Sequence, residues 1–290
     1  MARGKRLLAA VLLALAAAAP AARADAPTAD EIVARAHALG VGDEAQTLRN
    51  RFLPGLRMLG GGKDALGATR IGGRPDLAAG VRWPACGRSR RLSFLMQVRL
   101  TDLGIRRRGT LALFADLHED KYGVTRIEYS YGPMKRNSCV AVRVSRGALA
   151  RRATPPGIKT LRSVPVRLRP TLTVPEWELA EDMLGGRQPD PFFDRWFELM
   201  EETAWGVLGH NPPERPIHQL LGWSIPTQAD PTLSCDAVHK SRQRVLLLQL
   251  DWDESIHFAF GDGGALFVTI PPGDLRKGRF NRLCAQFQDS

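Results

Sequence analysis

The clearest hydrophobic pattern in this sequence covers residues 245–269 and reads VLLLQLDWDESIHFAFGDGGALFVT. It contains an apolar run, an acidic and aromatic stretch, and a second apolar run that begins after glycines. Short apolar runs bounded by turn-forming residues predict two buried strands joined by a polar loop. A weaker copy, LSFLMQVRLTDLGIRRRGTLALFADL, covers residues 92–117. We therefore expect two similar strand pairs in one chain.

Other stretches predict helices. Thr28 and Glu31 have the spacing of a capping box, so a helix is expected to begin there and to run to about Leu39. Two more helices are expected between residues 176 and 200, where apolar side chains recur at helical spacing. Residues 164–174 are interrupted by prolines, which predicts an edge strand or a loop.

Marker residues recur in the same order in the two copies, which indicates an internal duplication. The two series are Gly73, Pro75, Cys86, Gln97, Gly109, Leu111, Cys139 and Gly222, Pro226, Cys235, Gln249, Gly264, Leu266, Cys284. The sequence therefore predicts an α+β fold built by duplication. Its two related β-rich halves lie at about residues 69–145 and 216–288, with peripheral helices and a helical insert at about residues 146–215.

The duplication gives the cysteines a predicted pairing. Four cysteines allow three pairings, and the two-copy arrangement favours Cys86 with Cys139 and Cys235 with Cys284. The alternative is a set of buried, reduced cysteines. No CxxC or HxxxH spacing accompanies them, so we expect no metal site and no cofactor.

The N-terminus has the three regions of a signal peptide. Basic residues precede an apolar run at residues 7–19, and residues 22–24 (ARA) form a small-x-small cleavage site. The alternative is an uncleaved anchor or a hydrophobic N-terminal helix. Cleavage would remove residues 1–24 and leave residues 25–62 as an N-terminal helical lead.

Export and charge together limit the classes of partner. The expected location is the periplasm or the medium, with no transmembrane span after cleavage. Removing residues 1–24 lowers the formal net charge from +11 to +7. The basic residues are scattered and have no interleaved aromatic platform, so we expect no nucleic-acid binding.

The strongest catalytic candidates lie in and near the acidic loop of residues 251–262. Asp251, Asp253 and His218 could bind a divalent cation or act as acid and base. The alternative is a polar loop between two strands. The sequence has no GxSxG, P-loop or GxGxxG motif, so it offers no hydrolase or nucleotide-binding signature.

Four further residues are binding candidates. Gln97 and Gln249 lie between apolar neighbours at matching positions of the two copies. A buried amide must find hydrogen-bond partners. The pair is therefore expected either to form hydrogen bonds across the two halves or to line a central cleft. Trp223 and Trp252 complete the candidate binding set.

Several stretches resemble the YwqG-like family, a bacterial domain family of unknown function. They are residues 69–76 (TRIGGRPD), 81–84 (VRWP), 218–223 (HQLLGW), 245–253 (VLLLQLDWD) and 270–280 (IPPGDLRKGRF). The resemblance implies an α+β fold dominated by antiparallel strands. It implies no activity and no catalytic set.

The sequence as a whole favours a binding function. The resemblance places a YwqG-like domain at residues 63–290. Folding signals are plentiful and catalytic signals are sparse, so we predict a binding or protein-interaction module of the cell envelope, with an envelope protein or a small ligand as partner. The alternative is an enzyme that uses metal or carboxylate chemistry at the loop of residues 251–262.

Overall fold

The computed structural model describes residues 26–87, 90–119, 125–127, 132–133, 139–210, 216–233, 244–256 and 263–288. The predicted signal peptide at residues 1–24 lies outside this described part. None of the helices in the described ranges has the length and apolar content that a bilayer crossing requires.

The fold is built mainly from antiparallel strands. In chain order they are β1 (Leu53–Gly60), β2 (Arg70–Ile71), β3 (Asp76–Ala78), β4 (Ala85–Cys86), β5 (Arg90–Arg91), β6 (Ser93–Arg99), β7 (Thr110–Ala115), β8 (Leu117–Glu119), β9 (Thr125–Ile127), β10 (Gly132–Pro133), β11 (Val140–Ser145), β12 (Leu149–Arg151), β13 (Val164–Thr173), β14 (Gln219–Leu221), β15 (Val245–Asp251), β16 (Ala265–Ile270) and β17 (Cys284–Gln288). An 11-stranded sheet has the order β10–β17–β16–β15–β14–β1–β13–β2–β6–β7–β11 and forms a nearly closed, barrel-like sheet. The predicted α+β, mainly antiparallel architecture is confirmed at this level.

The centre of the sheet comes from a segment that was expected to be helical and from residues 164–174, which were expected to be an edge strand or a loop. β1 and β13 pair along their length, from Leu53 opposite Thr173 to Gly60 opposite Val166. The helical lead expected at residues 25–62 is therefore corrected, since its second part is β1. The insert at residues 146–215 is not purely helical either, because it contributes β12 and β13. Both central strands contain prolines, which are unusual inside a sheet because proline has no backbone N–H to donate. The long pairing between β1 and β13 compensates for these missing N–H donors.

The sheet has the same arrangement on either side of this central pair. On one side β13 pairs with β2, β2 with β6 and β6 with β7. On the other side β1 pairs with β14, β14 with β15 and β15 with β16. Each outer hairpin has one register shift, which precedes Gln97 in β6 and Gln249 in β15.

Helices cover one part of the sheet. They are α1 (Ala29–Leu39), α2 (Gly42–Leu48), α3 (Trp177–Leu184), α4 (Phe192–Trp205) and α5 (Pro272–Lys277). The predicted capping box at Thr28 and Glu31 is present, and α1 ends at Gly40 in the left-handed conformation. This helix begins and ends where the local signals indicate.

Two large hydrophobic clusters stabilise the fold. One is formed by side chains from both flanks of the sheet, such as Met96 and Leu248. The other joins helices α1–α4 to the ends of the central strands and includes Ile32, Trp196 and Ile217. The Trp196 indole donates a 2.9 Å hydrogen bond to the carbonyl oxygen of Pro175. That bond satisfies the polar atom of a fully buried tryptophan.

One predicted disulfide is present. Cys86 in β4 is bonded to Cys139, which directly precedes β11. The partner predicted for Cys284 is Cys235, which lies outside the described residues. The Cys235–Cys284 pairing therefore stays a prediction.

Candidate functional site

A cleft of about 180 Å³ lies at one end of the central strand pair. Its apolar wall consists of Met58, Ile71, Val164 and Val166. The facing wall comes from the second half of the chain and includes His218, Asp253 and Ser255, with Arg57 and Trp205 also lining the space. The cleft thus combines an apolar surface with a few polar groups, as small-molecule sites commonly do.

Arg57 forms the charged part of the cleft. Only 1% of this residue is exposed. Its guanidinium donates to the carbonyl oxygens of Pro216 and His218, the latter at 2.6 Å, and its Cζ lies 3.9 Å from the centre of the Trp205 ring. Burial lowers the pKa of Arg57 to about 9, although the carboxylates of Asp251 and Asp253 act in the opposite direction. The side chain is therefore still a cation at neutral pH.

The His218 ring is held at both nitrogens. Its Nδ1 accepts a 3.1 Å hydrogen bond from the backbone N–H of Asp251, and its Nε2 lies 3.0 Å from Oδ2 of Asp253. Because Nδ1 accepts, the proton of the neutral ring resides on Nε2 and is donated to Asp253. Burial lowers the pKa of His218 below its ordinary value, although the hydrogen bond to Asp253 raises it. The ring is therefore neutral at pH 7, with the tautomer set by the backbone of β15.

Asp253 completes this pair as a carboxylate. Burial alone would raise its pKa, but the hydrogen bonds from His218 and from the backbone and side chain of Ser255 outweigh that effect, and the pKa lies below its ordinary value. The Ser255 N–H donates to Oδ1 at 2.9 Å. Asp253 thus holds the start of the β15–β16 loop against His218.

The Asp251 side chain fixes two backbone segments through hydrogen bonds. Its two carboxylate oxygens accept from the N–H groups of Ile217 and Trp252 at 2.9 and 3.0 Å. The side chain is buried, with 1% exposure. Asp251 and Asp253 therefore lie near His218, as the sequence prediction groups them, but each carboxylate is engaged in holding the fold. Their catalytic role stays a prediction.

The two glutamines occupy equivalent positions away from the cleft. Gln97 accepts from the N–H of Asp76 at 2.8 Å, and Gln249 accepts from the N–H of Ile225 at 3.0 Å. Gln97 also donates to the carbonyl oxygen of Ala68. Each amide thus bonds within its own half of the chain, and the expected hydrogen bonding across the two halves is not seen for either side chain. Their binding role stays a prediction.

The two tryptophans also have structural contacts. The Trp223 indole donates to the carbonyl oxygen of Arg51 at 2.8 Å, which ties the second half to the segment before β1. The backbone N–H of Trp252 donates to the carbonyl oxygen of Gly264 at 2.9 Å. Neither residue lines the cleft, and their proposed binding role is untested. His257 and Asp262, from the same acidic loop, lie outside the described residues.

Sequence reasoning missed the residues that give the cleft its character. Arg57 was not a candidate because it follows Pro54 and Gly55 in a segment without strand periodicity. Trp205 belongs to the apolar stripe of a helix, which indicates a core. The only available signal was Arg57 itself, a cation in a mostly apolar stretch, since a buried charge requires partners.

The protein is an α+β barrel-like domain. Its antiparallel sheet is accompanied by helices and carries a small cleft lined by both apolar and polar residues. The chain belongs to the family described as a domain of unknown function (DUF1963), whose profile matches residues 69–288. No curated protein matches the chain. The more specific YwqG-like resemblance stays a prediction. β1 lies before the matched residues, although it occupies the centre of the sheet.

Proposed function

We propose that this protein is a binding module that holds a small ligand in the cleft beside Arg57. The observation that carries the proposal is that both halves of the chain build the cleft, with an apolar wall on one side and ordered polar groups on the other. The polar groups are preorganised before any ligand binds, because hydrogen bonds already fix Arg57, His218 and Asp253. Preorganised groups lose little conformational entropy when a ligand binds.

The chemistry of the cleft limits the ligand. A volume of about 180 Å³ suits a small molecule rather than a peptide segment. Val164 and Val166 favour an apolar body, and the Asp253 carboxylate with the Ser255 hydroxyl favours a hydrogen-bond donor or cationic group at one end. We therefore propose a small, partly apolar ligand that carries an amine, amide or hydroxyl group.

A substitution that fills the cleft with a larger side chain tests this proposal. A panel of small amines, amides and alcohols would be screened by thermal shift, and hits measured by calorimetry on wild type and on Val166→Phe. We expect the substitution to weaken binding at least tenfold, because the ring occupies the cleft. Val144→Phe is the matched control, since Val144 also packs against the barrel core but does not line the cleft. Equal affinities in all three proteins would place the ligand elsewhere and refute the proposal.

We propose further that the protein works in the cell envelope. The support is the three-region N-terminus, with a basic start, an apolar run and a small-x-small site. Cell fractionation followed by N-terminal sequencing tests it, and we expect a mature chain that begins at Asp25 in the periplasm or the medium. An intact N-terminus in the cytoplasm would contradict it.

We also propose that the two halves arose by duplication. Support comes from the equivalent pairing on either side of β1 and β13 and from the matching register shifts before Gln97 and Gln249. The turns after β2 and β14 also match, since Gly72 and Gly73 on one side and Leu221 and Gly222 on the other all have positive φ. Superposition of the halves in an experimental structure tests this, and unrelated backbone paths would contradict it.

The enzyme alternative has one observation in its favour, which is that His218 and Asp253 both border the cleft. For acid–base work the His218 ring would have to break a bond it already makes, because both nitrogens are engaged. Asp251→Asn and Asp253→Asn test the alternative. Unchanged behaviour of both variants in a hydrolase panel and in metal titrations would end it.

A further inference from the structure

A second group of reactive side chains lies around the disulfide, away from the cleft. The hairpin of β4 and β5 carries Cys86 and Arg90, and Asp116 follows the last residue of β7. The Asp116 N–H donates a 2.8 Å hydrogen bond to the carbonyl oxygen of Cys139, so the carboxylate is held beside the start of β11. Three separate segments thus bring two sulfurs and one carboxylate together.

Reduction of the Cys86–Cys139 disulfide would turn this group into a ligand set. The two sulfurs and a carboxylate oxygen of Asp116 all lie within 4.8 Å of one another. Two thiolates and a carboxylate are three ligands of the types that zinc accepts, and three protein ligands with an open fourth position are typical of accessible zinc sites. Both cysteines are half-buried, so a small dithiol can reach the bond between them.

Arg90 adds a positive charge at the sulfurs. One of its terminal nitrogens lies 3.6 Å from Sγ of Cys86, 3.9 Å from Sγ of Cys139 and 2.8 Å from Oδ2 of Asp116. A neighbouring cation favours the thiolate form of a reduced cysteine, which is also the form that binds metal. Half of the Arg90 side chain is exposed, so it can move into solvent when a metal cation takes its place.

We propose that Cys86, Cys139 and Asp116 form a redox-gated site for zinc. In the oxidised protein the disulfide occupies both sulfur ligands and the site is closed. Opening of the disulfide by a dithiol creates the ligand set, and Zn²⁺ then binds with water in the fourth position. This inference is independent of the small-ligand function of the cleft.

The redox step balances with a dithiol as the reductant. A thiolate of the dithiol attacks one sulfur of the Cys86–Cys139 bond and expels the other as a thiolate. The second thiolate of the reagent then attacks the resulting mixed disulfide and expels the remaining cysteine sulfur. The reagent becomes a cyclic disulfide, and two electrons and two protons pass to the protein as two thiols. Binding of Zn²⁺ to both thiolates then releases the two thiol protons to solvent.

Titration with Co²⁺, a spectroscopic substitute for Zn²⁺, tests the proposal on the full chain. We expect the reduced protein to show thiolate-to-cobalt charge-transfer absorption at one equivalent, and Zn²⁺ to remove it. The oxidised protein should show no such absorption, and neither should reduced Cys86→Ser. Reduced Cys284→Ser should keep it, because Cys284 is not part of the group of Cys86, Asp116 and Cys139. Absence of the absorption in the reduced wild type, or its survival in Cys86→Ser, would overturn the proposal.

The carboxylate ligand is tested with a matched control. Asp116→Asn should weaken Co²⁺ affinity at least about tenfold, because loss of even a residue that supports a metal ligand typically lowers metal affinity by about that factor. Asp274→Asn should leave it unchanged, although Asp274 is a similarly buried carboxylate paired with a half-exposed arginine, Arg282. Equal effects of the two substitutions would remove Asp116 from the site. If circular dichroism shows Asp116→Asn to be unfolded, Asp116→Cys replaces it. That variant should intensify the thiolate absorption, and an unchanged spectrum would overturn the assignment.

Discussion

Single buried carboxyl groups are held in very different states in this protein. Asp253 is kept as an anion by hydrogen bonds from His218 and Ser255, whereas Glu176 is fully buried and caps α3 by accepting from the N–H of Leu179. Burial raises the pKa of Glu176 to about 7, and the nearby Asp230 carboxyl acts in the same direction. Two carboxyl side chains thus have opposite charge preferences, because Glu176 is more deeply buried and Asp253 receives more hydrogen bonds.

Glu176 gives a pH-dependent prediction. Its pKa is higher in the folded than in the unfolded chain, so between about pH 4.5 and 7 the folded state retains a proton that the unfolded state has lost. Stability contributed by this residue therefore falls as pH rises through that window. Glu176→Gln keeps an oxygen acceptor for the cap, and it should raise the free energy of unfolding at pH 8 by up to about 3 kcal/mol and leave it nearly unchanged at pH 4. Urea unfolding at both values measures this, and an equal effect at both would contradict it.

The tautomer of His218 is a second prediction at the residue scale. A long-range proton–nitrogen correlation spectrum at pH 7 should show a protonated Nε2 and an unprotonated Nδ1, because Nδ1 accepts from the Asp251 N–H. His218→Gln identifies the signal by its loss. A protonated Nδ1 would contradict the hydrogen bonding from which the tautomer follows.

At the scale of elements, the turn after β14 determines how the second half joins the central strands. Gly222 has φ of 75°, and a Cβ atom there would lie 2.8 Å from Oγ1 of Thr173 and 3.2 Å from Cα of Gly55. Glycine is needed for both reasons, the left-handed backbone and the close approach of β1 and β13.

Gly222→Ala should therefore destabilise the protein more than a glycine substitution in open space. Gly147→Ala is the control, since Gly147 has φ of 87° and no atom within 4 Å of the added Cβ. Both changes cost about 1–2 kcal/mol for the left-handed backbone. Overpacking should add about 1–3 kcal/mol at Gly222 alone. Thermal or urea unfolding measures the difference, and equal losses would show that the turn can relax.

At the scale of the whole molecule, β1 is the strand that links the two flanks. It pairs with β13 on one side and with β14 on the other, yet it precedes residues 69–288 that match the family. Without it, the facing edges of β13 and β14 would expose unpaired backbone groups at the centre of the sheet.

A fragment of residues 69–288 should therefore fail to fold cooperatively. We expect weak near-ultraviolet circular dichroism and no sharp thermal transition, whereas residues 26–288 should show both. Adding residues 26–68 as a separate chain should restore part of the transition if strand pairing is the cause. A cooperative transition in the fragment alone would contradict a structural requirement for β1.

The sequence by itself determined the features that depend on neighbours a few residues away. The capping box of α1 and the strand pairs around Gln97 and Gln249 follow from side-chain period and local hydrogen bonding. The mainly antiparallel character was expected from the family resemblance, and the Cys86–Cys139 bond from the order of the cysteines along the sequence. These signals do not require knowledge of what lies across the sheet.

Only the tertiary structure decided the centre of the sheet and the cleft. No residue pattern predicted β1, and the prolines of β13 indicated an edge strand or a loop, although the two strands pair with each other across more than a hundred residues of sequence. Arg57 becomes a site residue because sheet closure brings Pro216 and His218 to its guanidinium, and His218 receives its tautomer from the backbone of β15. Such contacts depend on which strands become neighbours, and the period of a single segment carries no information about that choice.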